Sequence, residues 1–312
     1  MYNFRTDMAD ERYDIFKASC DENEDVPGIS SCQKKMNNQI NECIVDVCNK
    51  EGEKTIGKPI GKYVTFDLKD LKYADENEIE ESAKIISNEL RPMIEDKLNY
   101  GKDILVVGLG NQYVTPDSLG PKVINEIEIT RHLKKYAPEY VCENTKTISA
   151  IAPGVLGTTG IETYEIIKGV VQNIKPDLVI AIDSLSSKSI KRISSSVQIC
   201  NTGITPGSGI ENRIKELTFN TLGIPVISIG VPMVVDLATI TDECLNVLVG
   251  KIEDESNENK IVQEIKNSCC YDKIKSALIP KDYNMIVTPK EIDDLVENMK
   301  NIVAKSINYA LE

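Results

Sequence analysis

Apolar residues in the middle of this chain follow two patterns. Short apolar runs alternate with longer stretches in which apolar side chains recur every three or four positions. The runs fall within Asp103–Gly110, Lys146–Gly160, Pro176–Asp183, Ser196–Gly209 and Gly223–Pro232. Each predicts a buried strand, and the second and fourth continue into glycine-bearing loops. The stretches Ser118–Tyr136 and Ile161–Ile174 predict helices. Strands alternating with helices predict an α/β domain with a mostly parallel sheet and helices on both faces.

The flanks are read the same way. Gly57–Leu68 predicts a first strand or hairpin. Glu76–Leu98 aligns Ile79, Ala83, Ile86 and Leu90 on one helical face, with Pro92 expected to kink or stop it. Near the end, Ile292, Leu295, Met299, Ile302, Val303 and Ile307 form one apolar stripe, expected to pack on the α/β core. Thr288 is expected to cap that helix, with Pro289 in its first turn and Glu291 completing a capping box. Residues 1–55 are polar and weakly periodic, and are expected to form an N-terminal arm, extended or partly helical. Residues 56–312 then form a single domain with a polar insertion at 250–282.

Composition narrows the function. The chain has 312 residues, 41% of them hydrophobic, which is enough for a sizeable core. Its 36 basic residues face 49 acidic ones, a net charge of -13. That balance argues against direct nucleic-acid binding and against an anionic membrane surface. No run approaches the ~20 apolar residues of a membrane span. The start is charged from Arg5 onward, unlike a signal peptide. Nine cysteines in no CxxC spacing, with Cys269 and Cys270 adjacent, suit reduced thiols of the cytoplasm better than disulfides or zinc. His132 is the only histidine. It excludes a zinc site built on two or three histidines, and it lies in no triad motif.

Candidate chemistry centres on a near-repeat, "DSLGPK" at Asp117–Lys122 and "DSLSSK" at Asp183–Lys188. Gly108–Asn111 ("GLGN") does not complete a dinucleotide fingerprint, because Tyr113 stands at the third glycine position. Thr205–Gly209 ("TPGSG") reads as a loop entering a helix and matches no Walker motif. Asp117 and Asp183 each follow a buried run, at the strand ends where open parallel sheets bind ligands. If those strands are neighbours, the carboxylates converge; alternatively, each aspartate caps a helix. Two close carboxylates share a proton, so one activates water while the other protonates a leaving amine. Two rivals stay open: Ser118 or Ser184 as nucleophile with Lys122 or Lys188 as base, although the spacing is not S-x-x-K, and a magnesium site.

The segments "VVGLGNQYVTPDSLGPKV", "APGVLGTTGIETYEII", "KPDLVIAIDSL", "NTGITPGSGIENRIKEL", "TLGIPVISIGVPMVVDLATI" and "VTPKEID" together resemble the germination protease family, from Arg5 to the C-terminal helix. The resemblance implies an aspartate-dependent endopeptidase that degrades small acid-soluble spore proteins in the germinating spore, within the spore core or developing forespore. Its essential acids match Asp117 and Asp183, with no cofactor and no metal. It implies a homotetramer made as a self-cleaving zymogen, and a fold like that of the hydrogenase maturation proteases. Those enzymes hold metal with acids at corresponding strand ends plus a histidine, and no motif places His132 there. "RTDMADE" (Arg5–Glu11) resembles the family's "RTDLAxE", which implies self-cleavage of a pro-arm between Asp7 and Met8; the uncut arm is expected to lie across or near the two acids. One departure stands out. The family's A-L-A-A-R after the second aspartate is Ser184, Leu185, Ser186, Ser187 and Lys188, which loses a forked guanidinium. The alternatives are a metal-assisted maturation-type peptidase and a non-catalytic binding module.

Overall fold

Strands form wherever the apolar runs predict them, and in places the pattern left blank. A computed structural model describes residues 5–20, 25–68, 71–98, 101–205, 215–255, 275–276, 279 and 285–312. Its strands are β1 (Ile29–Lys35), β2 (Ile40–Val47), β3 (Gly61–Leu68), β4 (Asp103–Gly108), β5 (Thr147–Ile151), β6 (Leu178–Ser187), β7 (Ser196–Cys200), β8 (Val226–Asp236) and β9 (Ile286–Val287). They make one sheet in the order β1-β2-β3-β7-β8-β6-β4-β5, with β9 beside β8. Strands β8, β6, β4 and β5 pair in parallel. The wing from β1 through β7 to β8 is antiparallel, as is β9 on β8. Following the ladders, β1, β3, β8, β6, β4 and β5 run one way and β2, β7 and β9 the other.

The helices are α1 (Ala9–Lys17), α2 (Lys50–Ile56), α3 (Glu76–Leu98), α4 (Leu119–Ile124), α5 (Arg131–Tyr136), α6 (Thr163–Ile174), α7 (Leu237–Glu255) and α8 (Ile292–Leu311), apart from single turns. They cover both faces of the parallel wing. Ile104, Val106, Leu178, Ile180 and Ile182 pack on one side with Leu90 and Ile94 of α3 and Met299 and Ile302 of α8. The alternate residues Leu105, Val107, Val179 and Ala181 meet Tyr164, Ile167 and Val171 of α6 on the other. Each such fully buried side chain contributes about 1.5–3 kcal/mol, so this double burial anchors the strands that carry the candidate acids. All six residues of the predicted α8 stripe are buried.

Four expectations need adjusting. Pro92 sits inside α3, which continues to Leu98. The missing N–H costs about 3 kcal/mol, and burial of Met93, Ile94 and Leu98 beyond it offsets that cost. Thr288 does not cap α8, because its hydroxyl donates to Met233 O of β8 at 3.0 Å and the helix starts only at Ile292. The stretch Ser118–Tyr136 is two helices, α4 and α5. Between them Thr130 accepts from Ile148 N–H at 2.8 Å and donates to Lys146 O at 2.6 Å, which fixes the chain to β5. Residues 29–47, read as arm, form strands of the sheet. Their pattern is faint because β1 is an exposed edge strand and only β2 is inwardly packed, with Cys43, Val45 and Val47 against Ala9 and Tyr63. Pro206–Gly209 of the glycine loop, Cys269, Cys270 and most of the 250–282 insertion lie outside the described residues.

Candidate functional site

The two aspartates come from adjacent strands. β4 and β6 pair with Gly108 opposite Ile182, and Leu109 N–H donates to Ile182 O at 2.8 Å. The chain then turns at Gly110, whose φ is +111°. A Cβ there would lie 2.1 Å from Asp117 O and 3.0 Å from its Oδ1. Gly108 answers a second close approach, since its Cβ would lie 2.2 Å from Gly120 O of α4. The glycines of "GLGN" thus let the Asp117 loop fold back over the strand end. Asp117 closes a single helical turn (Thr115–Asp117), and its Oδ2 accepts the Asn111 N–H at 2.9 Å.

Asp183 lies within β6, opposite Gly230 of β8, and is only 5% exposed. Its Oδ1 accepts the Ser184 N–H at 2.9 Å. Neither aspartate caps a helix: Ser118 precedes α4, and Asp183 stands in the middle of a strand. Burial pushes the Asp117 carboxyl up to about 6, the Asn111 N–H pulling the other way. Burial also raises Asp183 well above the usual carboxylate range, and the charges of Asp117 and Asp7 raise it further. Burial thus disfavours the charged form of both carboxyls, and the charge of Asp117 further disfavours that of Asp183.

The third charge at this site, Asp7, belongs to the N-terminal segment. Asp7 N–H donates to Ser186 O at 2.8 Å, and Ser186 N–H donates to Asp7 Oδ2 at 2.9 Å. The segment thus lies along β6 just past Asp183. Met8, beside it, is fully buried. Asp7 O accepts from Lys58 Nζ at 2.6 Å, and Ala9 N–H donates to Gln198 Oε1 at 2.7 Å. Downstream, the Glu11 carboxylate accepts the N–H groups of Lys188 at 2.7 Å and Ser189 at 3.3 Å. Arg192 ion-pairs with Asp10 and lies 3.3 Å from Asp67 and 3.8 Å from Glu11. Upstream, Arg5 lies 3.8 Å from Asp236 at the end of β8. A cavity of about 440 Å³ opens beside the segment, lined among others by Asp7, Arg12, Lys58, Tyr63, Gln198 and Cys200.

Other candidates fall elsewhere. Ser118 Oγ donates to Thr115 O at 2.8 Å, and Lys122 pairs with Glu297 of α8, so these two form no nucleophile–base couple. Ser184 Oγ is buried without a hydrogen-bond partner. His132 lies exposed on α5. Among the described residues, no group of three or more His, Cys, Asp or Glu is arranged to hold a metal ion. Sequence reasoning missed Lys58, Gln198 and Arg192. Each is an isolated polar residue whose role comes from tertiary contact, and no local pattern marks it. Only Arg192 had a hint, since it lies four residues after Lys188, the position where the resemblance expects an arginine.

Known proteins resemble this chain along its whole length. Germination proteases of Clostridium perfringens (strain SM101) and Clostridium acetobutylicum are 42% and 43% identical to the chain, over all of it and 96% of their own length. That of Halalkalibacterium halodurans is 35% identical over 99% of the chain and 94% of its own length. Among solved structures, the NiFe hydrogenase maturation protease HycI of Thermococcus kodakarensis KOD1 is 19% identical, covering 45% of this chain and 80% of its own, at a TM-score of 0.28. That likeness is too slight to carry an argument. The sequence matches define a peptidase. The family described as germination protease matches residues 6–271 and 260–312, and the chain belongs to it. No described helix is long and apolar enough to cross a membrane.

Proposed function

We propose that this chain is an aspartate-dependent endopeptidase that begins the breakdown of small acid-soluble spore DNA-binding proteins at germination. It works in the spore core, as a homotetramer, and is made as a zymogen that cuts itself between Asp7 and Met8. The pro-arm is the front of the 1–55 segment, and the peptidase domain is the sheet with its helices within 56–312, completed by β1 and β2. One observation carries the reading: Asp7 is held on β6 at Ser186, three residues beyond Asp183, by a backbone hydrogen bond and a second one to its carboxylate, which lays the arm along the strand that bears this acid.

In this mechanism Asp117 is the ionised partner and accepts a proton from water. The water oxygen bonds to the carbonyl carbon of residue 7, whose π electrons move onto its oxygen. Asp183, still protonated, gives its proton to the Met8 nitrogen as the C–N bond breaks. Positioned acid–base groups contribute about 10²–10⁴-fold each. The acidic residues after the cut, Asp10 and Glu11, meet Arg192 and the Lys188 and Ser189 amides, which suits peptides with acids at those positions.

Asp117→Asn and Asp183→Asn are each expected to slow self-processing and cleavage of a spore-protein substrate about 10²–10⁴-fold. Mass spectrometry of the wild-type product should find a chain beginning at Met8. Full activity in both variants refutes the aspartate reading. Activity lost to a chelator and restored by a divalent metal favours the metal-assisted alternative.

A further inference from the structure

Resting on the cleavage at Asp7–Met8 proposed above, we propose that Lys58 is a further catalytic residue. Its ammonium holds the carbonyl oxygen of the bond to be cut and stabilises the negative charge that forms there. The geometry supports this directly. Lys58 Nζ lies 2.6 Å from Asp7 O, the carbonyl of that bond. The Asp7 carboxylate accepts the Ser186 N–H and also attracts the ammonium through its charge.

The loop that carries Lys58 is built for a fixed position. α2 ends at Gly57, whose φ of +65° turns the chain out of the helix. Tyr63 of β3 donates its hydroxyl to Pro59 O at 2.9 Å and so pins the far side of the loop. Lys58 is thereby held between α2 and β3, against the backbone of the arm. It also lines the cavity beside the arm.

An ammonium in such a place is costly while its partner is a neutral carbonyl. Burial pushes the Lys58 pKa below its ordinary value, Arg12 lowers it further, and Asp7 pulls it back up. The interaction strengthens as the carbonyl oxygen gains charge, and differential binding of that kind accelerates a step. The carboxylate pair has no other means of polarising this oxygen, because in the scheme above Asp183 spends its proton on the leaving nitrogen. The balance is unchanged by Lys58. Water loses a proton to Asp117, the carbonyl becomes an oxyanion hydrogen-bonded to Lys58, and collapse of that oxyanion expels the Met8 amine, protonated by Asp183. Lys58 keeps its proton throughout.

The test uses the full chain, and the processed enzyme with a peptide that spans Arg5–Glu11 of this sequence. Lys58→Ala, Lys58→Met and Lys58→Arg are compared with Asp117→Asn. The expected result is a fall in kcat and in the first-order self-processing rate of about 10²–10³-fold for Lys58→Ala and Lys58→Met, as for loss of an oxyanion donor. KM should change by less than about threefold. Lys58→Arg should recover part of the rate, and ethylammonium should partly rescue Lys58→Ala but not Lys58→Met. Thermal unfolding of each variant confirms a folded chain, and the rescue reads chemistry even if stability falls. A raised KM at unchanged kcat would make Lys58 a mere anchor for the arm and overturn the proposal, as would absence of rescue. If wild type does not cut at Asp7–Met8, or Asp117→Asn stays active, the underlying reading fails instead. If Asp117→Asn is inactive and Lys58→Met is not, only this inference falls.

Discussion

The parallel wing of the sheet, β8-β6-β4-β5, carries the two acids. The antiparallel wing, β1-β2-β3-β7, with the loops and helix beside it, carries much of what holds the N-terminal segment against them. Lys58 precedes β3, Gln198 is on β7, and Asp67 of β3 supports Arg192. The contrast is one of burial. The central parallel strands are covered by helices on both faces, so their ends are rigid platforms for Asp117 and Asp183. The antiparallel wing has the smaller cluster of Ala9, Val45, Val47 and Tyr63, and its outer strand β1 is solvated. In the proposed reading the two acids sit on the rigid wing, while Lys58 and Gln198 meet the arm from the wing with less to lose when a segment departs.

The sharpest way to break that comparison is Arg192→Met. It leaves Asp10 and Glu11, 2% and 6% exposed, without their guanidinium. Removing one partner of a buried ion pair costs about 3–5 kcal/mol. Denaturant unfolding of the uncut chain should register that loss. Amide exchange should quicken in α1 while the amides of β4 and β6 stay protected. Equal quickening in both places would mean that the wings are not separable.

The same contrast explains what could be read in advance. Ile104–Val107 and Leu178–Ile182 are unbroken apolar runs because both their faces are buried, and their ends point to Asp117 and Asp183 from sequence alone. In β1, by contrast, Ser30, Ser31, Gln33, Lys34 and Lys35 face water or the sheet edge. Such a strand gives no period, so residues 29–47 read as arm. Antiparallel pairing of β7 with β8 was equally invisible, since local pattern sets burial and not strand direction. Lys58 and Gln198 reach the site only through contacts 51 and 189 positions away in the chain, and no window contains both partners.

A smaller expected effect tests the rigid wing from within. Gly110→Ala puts a Cβ against Asp117 O at a φ of +111°. Holding that conformation costs about 1–3 kcal/mol. Relief requires the Asp117 loop to shift, and a shift of about 1 Å at a reacting group costs about 10²-fold. We expect kcat to fall by about that factor with the arm still docked, as judged by exchange in α1. Loss of arm docking with kcat intact would assign Gly110 to the wrong wing.

The smallest effect expected is on stability, and it has a sign that a structural carboxylate would reverse. Asp117 is raised from 3.8 to about 6 because burial disfavours its charge. Between those values the folded chain binds more protons than the unfolded one, so stability falls as pH rises through the window. Below the unfolded value both states are protonated and the penalty vanishes. At pH 8 it is fully present, up to about 3 kcal/mol for a shift of about two units. Asp117→Asn removes the charge while keeping an oxygen for the Asn111 N–H. Despite losing activity, it should therefore be more stable than wild type at pH 8 by as much as that amount, the advantage fading to nothing near pH 4. Tm measured across that range checks this. A variant less stable at pH 8 than wild type would mean that Asp117 holds the loop as a charged ligand, and the rigid wing would then need its acid for folding as well as for chemistry.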